Sequence, residues 1–413
     1  MRCTACGALY DDDGVRLDCS RLHAPSLLRS VYAERAFACT DLPSMARYRG
    51  WLPLGREVVT RARTGVYRSE ALGARLGLRR LWIAFSGWWP ERGATLESAT
   101  FKELEAVAVL GRLAPDERRT MVVASAGNTA AAFAQIATEH DLPVLIVIPL
   151  DAWDGLAAQV RIGPTVRVAA VEDGTYDDAI VIAKRLASRD GYVFEGGVRN
   201  VGRRDGMGTA LLAGVEAIGA LPDAYVQAVG SAAGALAAHE AALRLLDDGR
   251  FGTRLPRLLL AQNAPFTPIH DAWTRRSAAL DERSPLVARD QLARIGAAVL
   301  SNQAPPYATV GGVREALTDS DGGTYAIGND DLTAAMLQFA ELEGIDVEPA
   351  AGVALAALAR AARDGDVGPD DAVLLHVTGG GRARRAPVLL AQRPAAIVRR
   401  DEHAAEKIDA LFA

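Results

Sequence analysis

The stretch at residues 120–149, TMVVASAGNTAAAFAQIATEHDLPVLIVIP, decides the fold class of the chain. Two short apolar runs, at residues 120–125 and 143–149, flank an alanine-rich segment with the composition of a helix. Runs of this length that are apolar on both faces are typical of buried parallel strands, which need a helical crossover between them. The stretch therefore predicts a strand, a helix and a second strand of one parallel sheet.

The same pattern continues towards the C-terminus. Further short apolar runs are VRVAAV (166–171), AYVQAVG (224–230), RLLLAQN (257–263) and AVLLHVTGGG (372–381). Helical patterns separate these runs, so we expect an α/β fold with right-handed crossovers between buried strands. The segment at residues 265–325 is richer in charge, proline and turn residues, and we expect only helices and loops there.

The composition sets the size of the protein and disfavours some classes of partner. The chain has 413 residues, of which 50% are hydrophobic, and this suffices for two or three domains. A net charge of −5 with scattered arginines gives no basic stripe, so we expect no nucleic-acid partner. The apolar run at residues 142–150 is too short to span a bilayer, and the first residues show no secretory signal. We expect a soluble cytoplasmic protein without a membrane partner.

The cysteines raise the question of a metal site near the N-terminus. All four, Cys3, Cys6, Cys19 and Cys39, lie in the first tenth of the chain. Cys3 and Cys6 have the spacing of a zinc knuckle, but Cys19 is followed by His23 instead of a second Cys-x2-Cys pair. Two interpretations stay open: a structural zinc ion held by Cys3, Cys6, Cys19 and His23, or a metal-free turn with free thiols.

Small and polar residues lie in loops of the kind that bind ligands beyond the carboxyl ends of strands. The loop at residues 124–129 offers hydroxyls and amides at a helix start, which suits a carboxylate, and the small-residue loop at 230–234 suits a phosphate. Thr378 offers a hydroxyl that suits a ring nitrogen, and the loop at 200–206 offers Asn200 and Arg203 to a second anion. Ordinary caps, glycine turns and solvated arginines remain the alternatives for each loop taken alone.

Lys102 lies in the stretch ESATFKELE (97–105), behind small hydroxyl residues that mark a helix start. The helix dipole disfavours a cation at this place, and the same field, together with burial, lowers the pKa of the amine. A neutral amine can attack a carbonyl carbon. An amide loop for a phosphate, a hydroxyl for a ring nitrogen and such a lysine together indicate pyridoxal phosphate as the cofactor.

These motifs also resemble a known family. ATFKE (99–103), ASAGNTAAAFA (124–134), the glycine loop after VQAV and VEPAAGVALAAL (347–358) are similar, in that order, to motifs of the threonine synthase branch of fold-type II pyridoxal phosphate enzymes. FKELEA after the lysine, with HAPSLLRSVY (23–32), DLPSMARYRGWLPL (41–54) and FSGWWPERGA (85–94), resembles the cysteate synthase subgroup. The resemblance implies a tryptophan synthase β-like fold, in which two three-layer α/β domains with parallel sheets enclose the active site.

The resemblance assigns roles to residues at matching positions. Lys102 would hold the cofactor and act as the catalytic base, Asn128 would contact the ring hydroxyl, and Thr378 would meet the ring nitrogen. The residues that would hold the cofactor phosphate are Gly230, Ser231, Ala232, Ala233 and Gly234. The residues that would bind the substrate are Ser125, Ala126, Gly127, Thr129, Asn200 and Arg203, with Ser98 and Thr100 as extra donors or simple helix caps.

The resemblance also implies a division of the chain and a reaction. We expect an N-terminal segment at residues 1–40, a large cofactor-binding domain at 41–100 and 190–413, a smaller α/β domain at 101–189, and a homo-oligomer. The implied reaction replaces the phosphate of O-phospho-L-serine by sulfite and yields L-cysteate. Threonine synthase chemistry on O-phospho-L-homoserine, another nucleophile, and a catalytically silent binding homologue stay open as alternatives. A metal- or thiol-based hydrolase is disfavoured because H-E-x-x-H and G-x-S-x-G motifs are missing from the sequence.

Overall fold

The computed structural model describes residues 1–125, 127–385, 388 and 391–412. Its strands are β1 (Arg2–Cys3), β2 (Leu28–Arg29), β3 (Gly65–Arg68), β4 (Arg80–Phe85), β5 (Trp88–Trp89), β6 (Ala94–Thr95), β7 (Thr120–Ala124), β8 (Val144–Pro149), β9 (Val166–Glu172), β10 (Tyr192–Phe194), β11 (Ala224–Ala228), β12 (Arg257–Asn263), β13 (Gly323–Ile327), β14 (Ala372–Val377) and β15 (Ala396–Arg399). Its α-helices are α1 (Ala71–Leu76), α2 (Lys102–Arg112), α3 (Asn128–Glu139), α4 (Trp153–Ala157), α5 (Tyr176–Ala187), α6 (Val201–Ile218), α7 (Ala233–Asp248), α8 (Pro268–Thr274), α9 (Pro285–Arg294), α10 (Val313–Asp319), α11 (Asn329–Glu343), α12 (Pro349–Asp364) and α13 (Ala404–Phe412). The six apolar runs of the sequence all form strands: β7, β8, β9, β11, β12 and β14.

Two parallel sheets form the centre of the molecule. The five-stranded sheet has the order β10-β7-β8-β9-β15, and all its strands are parallel. The six-stranded sheet has the order β13-β12-β11-β14-β4-β3, and only the edge strand β3 is antiparallel to its neighbour. Because parallel strands end at the same edge of a sheet, the loops after them collect at one place.

Each sheet is covered by helices on both faces, which explains why its strands are apolar without alternation. In β8, Ile146 packs with α2 and α3, whereas the adjacent Leu145 packs with α5 and α13 on the opposite face. In β14, Leu375 packs with α12, whereas the adjacent Leu374 packs with α6 and α7. The two bodies are therefore three-layer α/β sandwiches, and the expected fold class is confirmed.

Five strands of these two sheets lie outside the runs that indicated strands in the sequence: β3, β4, β10, β13 and β15. The expectation of only helices and loops at residues 265–325 is wrong at its end, because β13 begins at Gly323. The same segment does contain α8, α9 and α10. The five-stranded sheet also takes in β10 and β15, which lie outside residues 101–189, and the domain limits at residues 40, 100 and 189 stay a prediction.

The described helices include none that is both long and apolar enough to cross a membrane.

Candidate active site

Lys102 is the first residue of α2, and its side chain is largely buried. No side chain among the described residues caps this helix, and Nζ of Lys102 lies 4.6 Å from the centre of the Phe101 ring. Burial lowers the pKa of the Lys102 amine, and the positive charge of Arg203 lowers it further. Glu105, whose Oε2 lies 3.1 Å from Nζ, has the opposite effect and raises this pKa. The net pKa is lowered, which favours the neutral, nucleophilic amine.

Lys102 belongs to a buried cluster of four ionisable side chains. Glu105 is fully buried, and its Oε1 lies 3.1 Å from Nη1 of Arg203. On its other side, Arg203 donates through Nε and Nη2 to Glu195 at 2.9 and 2.8 Å. Burial alone would lower the pKa of Arg203, but the two carboxylates raise it overall. The guanidinium of Arg203 is thus compensated by two carboxylates, one of which also accepts a hydrogen bond from the Lys102 amine.

A cavity of about 830 Å³ opens in front of this cluster, within the size range of small-molecule sites. The expected site residues that line it are Lys102, Ser125, Gly127, Asn128, Thr129, Arg203, Gly230, Ser231, Ala232, Ala233, Gly234 and Thr378. These residues come from the starts of α2, α3, α6 and α7 and from the end of β14. Helix N-termini present unpaired amides and a positive field, so the cavity favours anionic groups.

The loop before α7 forms a cradle of small residues. Oγ of Ser231 accepts a hydrogen bond from the backbone N–H of Ala233, the first residue of α7, at 3.4 Å, and Ala232 holds the left-handed conformation with φ 57°. A Cβ added at Gly234 would lie 2.4 Å from Nε2 of Gln227 and 2.9 Å from Cε2 of Phe101. A side chain at this position would crowd two residues that line the cavity. The cradle therefore suits a phosphate held by backbone amides and the hydroxyl of Ser231.

Asn128 begins α3 on another wall of the cavity. Gly127, the N-cap residue, gives this helix no side-chain acceptor, so its first amides stay open to a ligand. Nδ2 of Asn128 donates to Oε2 of Glu348 at 2.8 Å. Arg382 in turn donates through Nε to Oε1 of Glu348 at 3.2 Å. This chain of contacts fixes the amide of Asn128 at the cavity surface.

Thr378 lines the same cavity as the lysine and is bonded to the residue that precedes it. Its carbonyl oxygen accepts a hydrogen bond from the backbone N–H of Phe101 at 3.0 Å, which joins the end of β14 to the start of α2. Two residues earlier, His376 is bonded through Nδ1 to Tyr225 at 2.6 Å, and Tyr225 donates to Gln227 at 3.1 Å. Burial lowers the pKa of His376 to about 3, so this histidine is neutral. It supports Gln227, which lines the cavity.

Three of the expected substrate-binding residues do not line the cavity, and one lies outside the described residues. Ser98 and Thr100 are buried, and Oγ of Ser98 donates to the carbonyl of Thr100 at 3.1 Å instead of capping α2. Asn200 caps α6, with Oδ1 also accepting from Arg112 and Nδ2 donating to the carbonyl of Glu195. Ala126 falls at a position that the structure does not describe.

The residues that are present fit pyridoxal phosphate. A buried amine of lowered pKa faces the cavity, a cradle of small residues precedes a helix start, and a threonine lines the same cavity. Lys102 would hold the aldehyde carbon, the cradle at residues 230–234 would hold the phosphate, and Asn128 and Thr378 would meet the ring.

Comparison with known proteins agrees with this chemistry. The family model described as pyridoxal-phosphate dependent enzyme matches residues 61–379. The chain belongs to this family. A protein named cysteate synthase from Methanoculleus marisnigri is 46% identical to this enzyme over 94% of the chain and 89% of the relative. Another cysteate synthase, from Methanospirillum hungatei, is 42% identical over 93% and 90%.

Solved structures share the fold of the enzyme. The structure of maize serine racemase superposes with a TM-score of 0.57 at 16% identity, and the match covers 77% of this chain and 89% of the other. An identity this low supports the fold alone. With the family match, it confirms that the enzyme has the fold-type II architecture.

Several residues of the site had no role in the prediction from the sequence. Glu105 could have been found, because residues three apart share a helix face and Glu105 follows Lys102 by three. Glu195 and Glu348 reach the site from the end of β10 and the start of α12. Neither follows a run that had indicated a strand, so their position depends on tertiary packing.

Proposed function

We propose that the enzyme is a cysteate synthase, which replaces the phosphate of O-phospho-L-serine by sulfite. The observation that carries the proposal is the identity of 42–46% to proteins of that name over 93–94% of the chain. The geometry is consistent with this function, because one cavity contains both a basic amine and several groups that can bind oxyanions.

Pyridoxal phosphate, when bound, draws electrons from a substrate carbon into its ring and makes the α-proton acidic. In the proposed mechanism Lys102 takes this proton from the α-carbon and later returns it. Its lowered pKa suits both steps, because a base works best when its pKa lies near the working pH. Glu105 accepts a hydrogen bond from this amine beneath the cavity surface and thereby fixes its orientation.

The substrate and the nucleophile are both anions, and the proposed site offers separate places for them. The open amides at the start of α3, with Ser125 and Thr129, would bind the substrate's carboxylate. Arg203 lines the cavity and keeps N–H groups beyond those used by Glu105 and Glu195. These would hold the departing phosphate and then sulfite, since both present oxygens of similar spacing.

Substrate choice is the decisive test of this proposal. The purified enzyme with pyridoxal phosphate should release phosphate from O-phospho-L-serine in the presence of sulfite and form cysteate. Phosphate release from O-phospho-L-homoserine and not from O-phospho-L-serine would instead identify threonine synthase chemistry. The two substrates differ by one methylene, which changes the discrimination free energy by only about 1–3 kcal/mol. Release from phosphoserine with thiols or amines but not sulfite would identify a different nucleophile. Each of the two latter results refutes the proposal.

A spectrum distinguishes the enzyme from a catalytically silent binding homologue. The holoenzyme should absorb at roughly 410–430 nm because the cofactor is bound to an amine, and Lys102→Ala should lose this band. Lys184→Ala is the matched control, because Lys184 also lines the cavity but is exposed. Loss of the band in the control, or its persistence in Lys102→Ala, contradicts the assignment of the cofactor lysine.

Two further parts of the proposal, a cytoplasmic location and a homo-oligomeric assembly, stay predictions from the sequence. Size-exclusion chromatography with light scattering measures the second directly.

A further inference from the structure

Four potential metal ligands converge near the N-terminus, away from the lysine. The sulfurs of Cys3, Cys6 and Cys19 and a ring nitrogen of His23 all lie within 4.8 Å of one another. Sγ of Cys6 lies 3.7 Å from Sγ of Cys19, and Sγ of Cys3 lies 3.4 Å from Nε2 of His23. Cys39, the remaining cysteine, is exposed and outside this cluster.

These separations match the ligand shell of one tetrahedral zinc ion. Zinc binds thiolate sulfur at about 2.3 Å and imidazole nitrogen at about 2.0–2.1 Å, which puts two sulfurs about 3.8 Å apart and a sulfur and a nitrogen about 3.6 Å apart. A disulfide would require Cys6 and Cys19 to approach to about 2.05 Å. Three thiolates and one imidazole are a typical set for structural zinc and leave no open position for water.

The ring of His23 is oriented by a backbone hydrogen bond. Nδ1 of His23 lies 2.7 Å from the carbonyl oxygen of Ala24. Because a carbonyl can only accept, Nδ1 is the donor in this bond, and Nε2 is the nitrogen that lies among the three sulfurs and would bind the metal. Such a hydrogen bond from the second ring nitrogen to a backbone carbonyl is the usual support of zinc-binding histidines.

The sulfurs have donors of their own around them. The hydroxyl of Ser26 lies 3.2 Å from Sγ of Cys3, and the hydroxyl of Tyr10 lies 3.0 Å from Sγ of Cys19. The backbone N–H of Arg21 donates to the same Sγ of Cys19 at 3.4 Å. Outer hydrogen bonds of this kind stabilise thiolates in metal sites.

The cluster is joined to the wall of the active site. The residues after His23, Pro25, Ser26 and Leu27, line the cavity that contains Lys102. Thr4, which lies between two of the cysteines, donates through N and Oγ1 to the carbonyl of Leu27 at 3.0 and 2.9 Å.

We propose that Cys3, Cys6, Cys19 and His23 bind one zinc ion, and that this ion fixes residues 24–27 as a wall of the active site. Residues 24–27 are also held by the β1–β2 pair, by backbone hydrogen bonds to Val310 and by the buried side chain of Leu27. A four-ligand ion closes the chain between residues 3 and 23 and adds a cross-link to these contacts.

Metal analysis of the holoenzyme tests the first half of the proposal without reference to activity. Purified wild type and Cys39→Ser should each contain one zinc per chain after dialysis, whereas Cys6→Ser and Cys19→Ser should contain less than about a tenth of that. Zinc released by a mercurial should be detected by a colorimetric chelator. The zinc proposal would be overturned if the wild type contained no zinc, contained iron instead, or had a Cys6–Cys19 disulfide. Equal zinc contents in Cys6→Ser and Cys39→Ser would also overturn it.

Limited proteolysis tests the second half. Trypsin should cleave after the exposed Arg21 at least about tenfold faster once zinc is removed, because opening of the segment then costs less. The KM for O-phospho-L-serine should rise while the cofactor absorption band persists. An equal cleavage rate with and without zinc would overturn the role of the ion in fixing the wall, even where zinc is present.

Discussion

Replacing Glu105 by glutamine removes one charge from the buried cluster and leaves its shape nearly unchanged. The carboxylate contacts Lys102 at 3.1 Å and Arg203 at 3.1 Å, and it is fully buried. Without it, Arg203 loses one of its two carboxylate partners and keeps only Glu195. Because Glu105 raises the pKa of Lys102, the substitution also lowers that pKa further.

The size of the effect follows from the burial. Removing one partner of a buried ion pair costs about 3–5 kcal/mol, because the remaining charges are left without compensation. With about 2.1 cal/mol/K of unfolding entropy per residue, a chain of 413 residues should then melt about 4–6 °C lower. The control is Asp364→Asn, which breaks the exposed pair of Arg360 and Asp364 on α12. Such pairs contribute about 0.3–0.5 kcal/mol, so the control should melt less than about 1 °C lower.

Calorimetry on cofactor-free protein measures both variants under the same conditions. The cofactor is removed because a bound ligand raises the melting temperature by mass action. A fall for Glu105→Gln no larger than that of Asp364→Asn would refute the reasoning, since it would mean that the buried charges are compensated by other groups.

Two further substitutions test the cradle and a second buried carboxyl. Gly234→Ala places a Cβ 2.4 Å from Gln227 and should weaken cofactor binding about 5- to 150-fold through crowding of about 1–3 kcal/mol, measured by fluorescence titration. Gly155→Ala, whose Cβ would meet no atom within 4 Å, should bind as wild type does, and equal losses would contradict the crowding. Burial raises the pKa of Glu103 to about 7. Between about pH 4.5 and 7 the folded state therefore keeps a proton on Glu103 that the unfolded state has lost. The free energy of unfolding consequently falls as the pH rises through this range. The melting temperature of Glu103→Gln relative to wild type should therefore rise between pH 5 and pH 8, and a constant difference would exclude this titration.

Much of the fold could be predicted because the central strands are apolar on both faces. β8 and β14 are buried between two helix layers, and their sequences show it without tertiary information. Other strands lacked this signal. β10 has three residues, and β4 begins with the exposed Arg80 and pairs at its far side with an antiparallel edge strand. Their place in the sheet is set by their neighbours and not by their own composition.

The site was predictable where a loop follows a strand and begins a helix. The cradle at residues 230–234 and the start of α3 carry this signal, and both line the cavity. Asn200 and Arg203 belong to one motif, yet Asn200 caps α6 while Arg203 faces the cavity, and the spacing alone could not separate these roles. Glu195 and Glu348 were missed because their partners lie far away in the chain, as with Asn128 and Glu348 at a separation of 220 residues.

The pairing of β4 with β14 has a consequence for folding during synthesis on the ribosome. Ser86 and His376, hydrogen-bonded at this junction, are 290 residues apart. At about 5–20 residues per second, synthesis of the intervening chain takes roughly 15–60 s, during which β4 has emerged without its parallel neighbour. The β4–β14 pairing, and the part of the cavity wall that Thr378 forms, can therefore be completed only near the end of translation, well after the segment that carries Lys102 has been made.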